Sequence, residues 1–204
     1  SNVCNFINFQ TALCYGRPKV TPIPVDHGIA PFTSYGISKS AGEAYLLQSD
    51  LDVISLRLAN ICGPRLAIGP IPTFYQRLKD GKSCFCSDTT RDFLDMSDFL
   101  SLVDMLFSEK QPAGVYNVST GVGSSIKDVF DAVAKYLGMT PPEVPIVEPG
   151  EDDVPVVVLD PSETENTIGW RAEFSFEEII YRQLEWYDAH GINDIFSHLA
   201  APKT

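Results

Sequence analysis

The spacing of apolar and polar positions predicts strands and helices that alternate along the 204-residue chain. Three short runs rich in branched and aromatic residues, 3–10, 53–59 and 115–118, have the length and composition of buried strands. Helical patterns at 35–48 and 98–107 separate them. Because helices connect these strands, we expect them to be parallel neighbours in one sheet, and the fold class to be α/β.

Further elements are predicted in the second half of the chain. Helices are predicted at 73–79, at 125–136, after Pro161 and at 176–189, and strands at 83–87, 93–96 and 156–159. Ser125 is a suitable N-cap for its helix and Gly138 a suitable stop. Residues 16–33 contain four prolines and predict a long ordered loop, and loops of this length in compact domains are usually functional.

Composition and charge narrow the classes of partner. A hydrophobic content of 44% and an aromatic content of 11% support a packed core and argue against disorder. A net charge of -12 argues against nucleic acid and anionic membranes as partners, since both favour a basic surface. No apolar run approaches membrane-spanning length and the start lacks a signal-peptide pattern, so a cytoplasmic protein is expected.

The cysteines do not predict a disulfide framework. Cys4, Cys14, Cys62, Cys84 and Cys86 show no paired spacing, which is typical of a reduced, intracellular protein. Cys84-Phe85-Cys86 has the spacing of half a metal site, but no second pair or nearby histidine completes it. We interpret it as a strand with both thiols on one face and predict no metal.

Candidate chemistry comes from Thr11 and the segment Tyr35-Gly36-Ile37-Ser38-Lys39. A tyrosine and a lysine four residues apart share one helix face, where a threonine at the end of the preceding strand can meet them. Tyrosine is a poor base at neutral pH, but nearby positive charge favours its deprotonated form. The trio suits removal of a proton from a sugar hydroxyl while a nicotinamide takes the hydride. The alternative is a surface Tyr–Lys pair beside an unreactive threonine.

A dinucleotide site normally begins with a glycine-rich segment, and none precedes Thr11 in this chain. We therefore expect the chain to be the C-terminal part of a longer enzyme and to be inactive alone.

Five segments, in order, resemble motifs of the extended short-chain dehydrogenase/reductases, the NAD-dependent sugar-nucleotide epimerase/dehydratase family. They are Phe-Gln-Thr-Ala-Leu-Cys-Tyr-Gly at 9–16, the Tyr-x-x-x-Lys segment at 35–39, Arg-Leu-Ala-Asn-Ile-Cys-Gly-Pro-Arg at 57–65, Arg-Asp-Phe at 91–93 with the aspartate at 98, and Val-Tyr-Asn-Val at 115–118. The tyrosine motif alone is weak, whereas five segments in the right order are specific.

The resemblance implies the C-terminal half of a Rossmann-type parallel sheet with a smaller α/β substrate domain. Residues 1–65 and 90–120 would form the second half of the NAD-binding domain, and 66–89 and 121–204 the sugar-nucleotide domain. A homodimer is also implied, because the helix that begins at Tyr35 resembles one that builds the family's dimer interface. The sheet edge is a second candidate interface.

The resemblance also implies roles for five residues. Thr11, Tyr35 and Lys39 would be catalytic, with Tyr35 and Lys39 also holding the NAD cofactor. Thr11, Asn60 and Arg91 would contact a nucleotide-diphosphate sugar, in this family often a UDP-sugar. A guanidinium can grip two phosphate oxygens, which gives the arginine a geometric reason for this role.

The residues after Thr11 narrow the implied reaction. Family dehydratases carry an acidic pair there and reductive epimerases carry a cysteine, whereas this chain has Ala12 and Leu13. Elimination of water would lack its acid and base. A 4-epimerisation is the simplest remaining reaction. A nucleotide-sugar dehydrogenase or reductase, and a catalytically silent binding fragment, remain alternatives.

Two alternatives concern the nucleotide site. The alternative interpretation of Arg91 is that it forms a surface salt bridge with Asp92 or Asp95. The family often carries Arg-x-Gly-Asp in a late loop, where residues 148–153 of this chain are Glu-Pro-Gly-Glu-Asp-Asp. An aspartate there can accept hydrogen bonds from ribose hydroxyls, or the stretch can be a solvated acidic loop. The sequence therefore leaves the identity of the nucleotide open.

Overall fold

The computed structural model describes residues 5–151 and 153–192 and has helices and strands in alternation, which confirms the α/β class. The strands are β1 Asn5–Thr11, β2 Asp52–Leu58, β3 Asn60–Cys62, β4 Cys86–Ser87, β5 Thr90–Asp95, β6 Gly114–Val118, β7 Gly123–Ser125, β8 Ile146–Val147 and β9 Val156–Val157. The helices are α1 Ser34–Leu47, α2 Pro70–Lys79, α3 Met96–Ser108, α4 Ile126–Tyr136, α5 Ser162–Ile168 and α6 Phe176–His190. A 3-10 turn, Ala12–Tyr15, follows β1 directly.

The main sheet has the order β1-β2-β6, and both pairings are parallel. The prediction that these three strands are parallel neighbours is therefore confirmed. Thr11 lies opposite Leu58, which lies opposite Val118, so the three strands end together. Carboxyl ends of parallel strands are the usual place for a ligand, and Thr11 lies there.

A second sheet is built around β5. Strand β5 pairs in parallel with β3 and β9 and antiparallel with β7, while β4 and β8 form a separate two-stranded pair. The chain passes from β2 to β3 through the single residue Ala59, which links the two sheets directly. The cavity described below lies at this junction.

The helices pack in two groups. Helices α2, α4 and α6 share one core, with Phe74, Phe130 and Leu184 among its buried side chains. Helix α3 packs on the main sheet through a second core that includes Phe99 and Leu102. The division into two domains at the boundaries given above stays a prediction.

The predicted burial of the first strand was wrong. Phe6 and Phe9 on β1 are 37% and 44% exposed, because β1 pairs only with β2 among the residues described. The strand predicted at 93–96 begins earlier, at Thr90, where β7 and β9 supply hydrogen-bonding partners. Helix α3, predicted at 98–107, begins at Met96 and is capped by Asp95, whose side chain accepts a hydrogen bond from Ser97 N.

Among the residues that the structure describes, no helix has the length and apolar character needed to cross a membrane. Within the same residues, no group of three or more histidine, cysteine or acidic side chains is placed to hold a metal ion. Cys14, Cys62, Cys84 and Cys86 are free thiols, and Cys4 lies outside the described residues.

Candidate active site

A cavity of about 1050 Å³ opens at the carboxyl end of the main sheet, bounded by α1, α2 and β5. Its lining includes all five residues that the sequence nominated: Thr11, Tyr35, Lys39, Asn60 and Arg91. These five residues come from four elements, β1, α1, β3 and β5, so their convergence is a property of the fold. The roles assigned to them remain predictions.

Thr11 ends β1 and caps the 3-10 turn that follows. Its side-chain oxygen accepts a hydrogen bond from Leu13 N at 3.2 Å. A threonine hydroxyl can accept and donate at once, so this contact leaves its O–H free to donate towards the cavity. The cap thus fixes the oxygen while its proton remains available to a ligand.

Tyr35 and Lys39 project from the first turns of α1. Thr33 caps this helix by accepting a hydrogen bond from Gly36 N at 3.0 Å. Tyr35 is 56% exposed, and neither its hydroxyl nor the Lys39 ammonium has a side-chain partner within the described part of the chain. No hydrogen bond joins the hydroxyls of Tyr35 and Thr11. Contacts of this kind often tighten only with substrate in place.

Arg91 on β5 is held in the cavity wall. Its Nη1 donates to Thr90 O at 2.9 Å, and its Nη2 pairs with Asp153 Oδ1 at 2.5 Å. Burial lowers the pKa of Arg91 below its usual value, although Asp153 opposes this effect. The guanidinium remains charged and is already matched by one carboxylate.

The alternative partners suggested for Arg91 were wrong. Asp92 points away from the cavity and accepts hydrogen bonds from Thr120 N and Gly121 N, both at 3.0 Å. Asp95 pairs with Arg182 Nε at 3.0 Å. Neighbouring side chains on a strand face opposite sides, which directs Asp92 away from Arg91.

The late acidic stretch is therefore more than a solvated loop. Asp153 lines the cavity and contacts Arg91, whereas Asp152 lies outside the described residues. A chain segment some sixty residues after β5 thus reaches the proposed diphosphate site.

The remaining lining residues come mainly from α2 and the β4 region. Ile71 and Phe74 line the cavity, and both are buried. Arg77 and Phe85 also line the cavity, and the sequence did not identify either as a candidate site residue. Arg77 lies three residues after Phe74 and so shares its face of α2, which is the one signal that could have found it.

The sequence model of the GDP-mannose 4,6 dehydratase family matches residues 1–183. The chain belongs to this family. Among curated relatives, the putative UDP-glucose 4-epimerase of Methanocaldococcus jannaschii is 28% identical over 183 residues, which cover 84% of this chain and 59% of the relative. The chain thus spans less than two thirds of the length of this relative.

Two solved structures of the same fold carry ligands. The Bordetella bronchiseptica enzyme WbmG in complex with NAD is 65% identical, with a TM-score of 0.90 over 96% of this chain and 63% of that one. The Thermotoga maritima UDP-glucose 4-epimerase with UDP-glucose is 26% identical, with a TM-score of 0.82 over 92% of this chain and 64% of that one. WbmG was also crystallised with NAD and UDP.

The residues of the site, rather than membership of the GDP-mannose 4,6 dehydratase family, indicate which reaction the site can support. Ala12 is 6% exposed and belongs to a small apolar cluster with Tyr15 and Ile23. Leu13 packs against the same cluster and lines the cavity. The two positions after Thr11 therefore offer apolar surface and no group that can exchange a proton.

Proposed function

We propose that this chain supplies the catalytic residues of an NAD-dependent 4-epimerase that acts on a nucleotide-diphosphate sugar, namely a UDP-sugar. The observation that carries the proposal is one cavity lined by Thr11, Tyr35 and Lys39 together with Arg91, while Ala12 and Leu13 are apolar. The ligands of WbmG, which are NAD and UDP, support the choice of cofactor and nucleotide.

The residues at the cavity fit an NAD cofactor beside α1. Tyr35 and Lys39 present a hydroxyl and an ammonium on one helix face, which suits the hydroxyls of a nicotinamide ribose. Gln10 also lines the cavity, and its side-chain nitrogen is buried and lacks a partner within the described residues. When bound, NAD supplies reversible acceptance of hydride at the sugar carbon.

The chain's own groups handle the proton. Tyr35 Oη, as the phenolate, takes the proton of the sugar 4-hydroxyl while the electron pair of the C4–H bond leaves as hydride, which gives a C4 ketone. The ammonium of Lys39 stabilises the phenolate, and Thr11 holds the same sugar oxygen through its free O–H. After the keto sugar turns, Tyr35 returns the proton as hydride is restored to the opposite face. No cofactor is consumed.

Arg91 and Asn60 bind and orient the substrate in this proposal. Arg91 offers a guanidinium that can bind a diphosphate, and Asn60 adds an amide from the first position of β3. Because residues 12 and 13 are apolar, neither position supplies an acid or a base that would remove water from the carbons beside the C4 ketone. The ketone then returns to the alcohol.

The reaction is tested with the longest reading frame that contains residues 1–204, supplied with NAD and UDP-glucose or UDP-arabinose. We expect chromatography and proton NMR to show conversion to the C4 epimer without accumulation of NADH. Accumulation of NADH with loss of substrate would support the dehydrogenase alternative. A deoxy-keto product would show that water is eliminated and would contradict the proposal.

The base is tested by Tyr35→Phe, which removes one oxygen. We expect turnover to fall by roughly 10²-fold or more while NAD remains bound, because general-base assistance of this kind contributes at least that much. Tyr45→Phe is the matched control, since Tyr45 lies on the same helix, is 81% exposed and lies outside the cavity lining. Full turnover in Tyr35→Phe would refute the assignment.

We also propose that the protein is a homodimer whose two copies associate through α1. Ile37, Tyr45 and Leu47 expose apolar surface on this helix, with exposures of 51%, 81% and 41%. An apolar patch of this kind commonly marks a protein–protein interface.

A further inference from the structure

Helix α1 carries the proposed base but buries almost no apolar surface. Of its 14 residues, only Gly36 and Glu43 are buried against the described part of the chain. An amphipathic helix is usually held by an apolar stripe that faces the core. Since α1 has no such buried stripe, other contacts must set its position.

One anchor is an ion pair between Glu43 and Arg57 on β2. Both side chains are inaccessible, with residue exposures of 1% and 5%. Arg57 Nη2 donates to Glu43 Oε2 at 2.9 Å and its Nε donates to Oε1 at 3.3 Å. Ser55 Oγ donates to the same Oε1 at 2.6 Å. A two-pronged contact of this kind fixes the direction of approach as well as the distance.

The same guanidinium holds the turn that follows Thr11. Arg57 Nη1 donates to Tyr15 Oη at 2.9 Å and to Val25 O at 3.0 Å. Tyr15 Oη donates in turn to Asn117 Oδ1 at 2.7 Å, and burial raises the pKa of Tyr15 to about 12, so it stays a donor. One arginine therefore contacts both α1, which carries Tyr35 and Lys39, and the turn that Thr11 caps.

Gly36 provides the second anchor, next to Tyr35. A Cβ at this position would lie 2.9 Å from Leu13 O and 3.1 Å from Thr33 Oγ1. The first turn of α1 thus packs directly on the backbone of the 3-10 turn. Two fixed points, Gly36 in the first turn and Glu43 in the second half of the helix, define where Tyr35 and Lys39 lie relative to Thr11.

We propose that the Glu43–Arg57 ion pair is a positioning device for the reaction, which places Tyr35 and Lys39 relative to Thr11. The inference rests on the proposed function. Buried ion pairs add little net stability compared with apolar residues of similar volume, so stability alone does not account for this one. A displacement of about 1 Å in a reacting group can reduce the rate by roughly 10²-fold, so a small shift of α1 would be costly.

The test uses two changes that keep the site filled. Arg57→Lys keeps the buried charge but loses the two-pronged contact, and the double variant Glu43→Leu with Arg57→Met replaces the pair by apolar volume. In the complete enzyme we expect kcat per folded molecule to fall roughly tenfold or more in both. We expect KM for the UDP-sugar to stay within about twofold, because Arg91 and Asn60 belong to other strands.

Asp98→Asn is the matched control. Asp98 is a buried carboxylate, 3% exposed, that accepts hydrogen bonds from Glu173 N and Phe174 N and lies outside the cavity lining. We expect this change to lower the melting temperature and leave kcat unchanged. A purely structural ion pair at Glu43–Arg57 would behave in the same way as the control.

Tyr35→Phe, measured in parallel, separates this inference from the function on which it rests. If Tyr35→Phe is inactive and both ion-pair variants keep wild-type kcat, the positioning role is refuted and the function stands. If Tyr35→Phe keeps full turnover, the function fails and the positioning role fails with it. Loss of kcat in Tyr35→Phe and in both ion-pair variants, with the control active, supports both.

Discussion

At the scale of single residues, the carboxylate of Asp153 beside Arg91 should affect the affinity for UDP. Asp153 pairs with Arg91 and is 43% exposed at its side chain, so a diphosphate that binds Arg91 must compete with it. We predict that Asp153→Asn lowers the Kd for UDP by about two- to fivefold, since partly exposed ion pairs contribute up to about 1 kcal/mol. Titration calorimetry of the complete protein measures this.

The matched control for Asp153 is Asp131→Asn, which removes a carboxylate paired with Lys127 on α4 and should leave Kd unchanged. Weaker binding of UDP in Asp153→Asn would contradict the prediction. Weaker binding would instead favour the other role that the sequence left open, in which Asp153 accepts hydrogen bonds from the ribose hydroxyls.

A second residue makes stability depend on pH. Burial raises the pKa of Asp92 to about 6, although hydrogen bonds from Thr120 and Gly121 oppose the effect. An unfolded aspartate has a pKa near 3.9, so the folded state binds this proton more tightly and its contribution to stability falls as pH rises from about 4 to about 6.

Asp92→Asn isolates this contribution. We predict that the free energy of unfolding of the wild type, minus that of the variant, falls by up to roughly 3 kcal/mol between about pH 4 and pH 7. Urea unfolding of both proteins across this range measures it. A difference that does not change with pH would show that Asp92 is ionised throughout.

The sequence identified some site residues and missed others for a physical reason. Thr11, Tyr35 and Arg91 lie in segments whose order and spacing carry information, and all three line the cavity. Arg57 begins the matched segment at 57–65, but the segment does not show that this side chain lies beneath α1. Arg77 belongs to none of the matched segments, and its helix-face spacing from Phe74 is the only local signal for its place in the cavity wall.

At the scale of elements, α4 and α6 begin with the same device. Ser125 and Asp128 form a capping box at α4, and Ser175 and Glu178 form one at α6. We predict that Ser125→Ala and Ser175→Ala each lower the free energy of unfolding by about 1 kcal/mol. Because the caps lie on separate helices, the double variant should lose about 2 kcal/mol in urea unfolding. Losses near zero would contradict the prediction.

Long elements were predicted better than short ones. The helix predicted at 35–48 is Ser34–Leu47, and the one predicted at 125–136 is Ile126–Tyr136. Strands β3, β7 and β8 were missed, since two or three residues show no periodicity and their pairing depends on a partner elsewhere in the chain. Their existence follows from tertiary structure rather than from local sequence.

At the scale of the whole molecule, the exposed face of α1 predicts association. We predict that the complete protein sediments as a dimer in analytical ultracentrifugation and that Tyr45→Glu shifts it towards monomer, since a charge would be buried at the interface. Phe107→Glu is the control, because Phe107 is 78% exposed on a different helix, α3. A wild-type monomer would contradict the dimer.

The apolar turn after Thr11 limits how this protein can evolve. Ala12 is packed with Tyr15, Ile23 and Leu159 in a cluster closed by the 16–33 loop. A carboxylic acid acquired at position 12 would be buried among these apolar side chains, and burial would raise its pKa and favour the protonated form. Such a group could donate a proton but would be a poor base, so a lineage that changes its chemistry at this position would first acquire a proton donor.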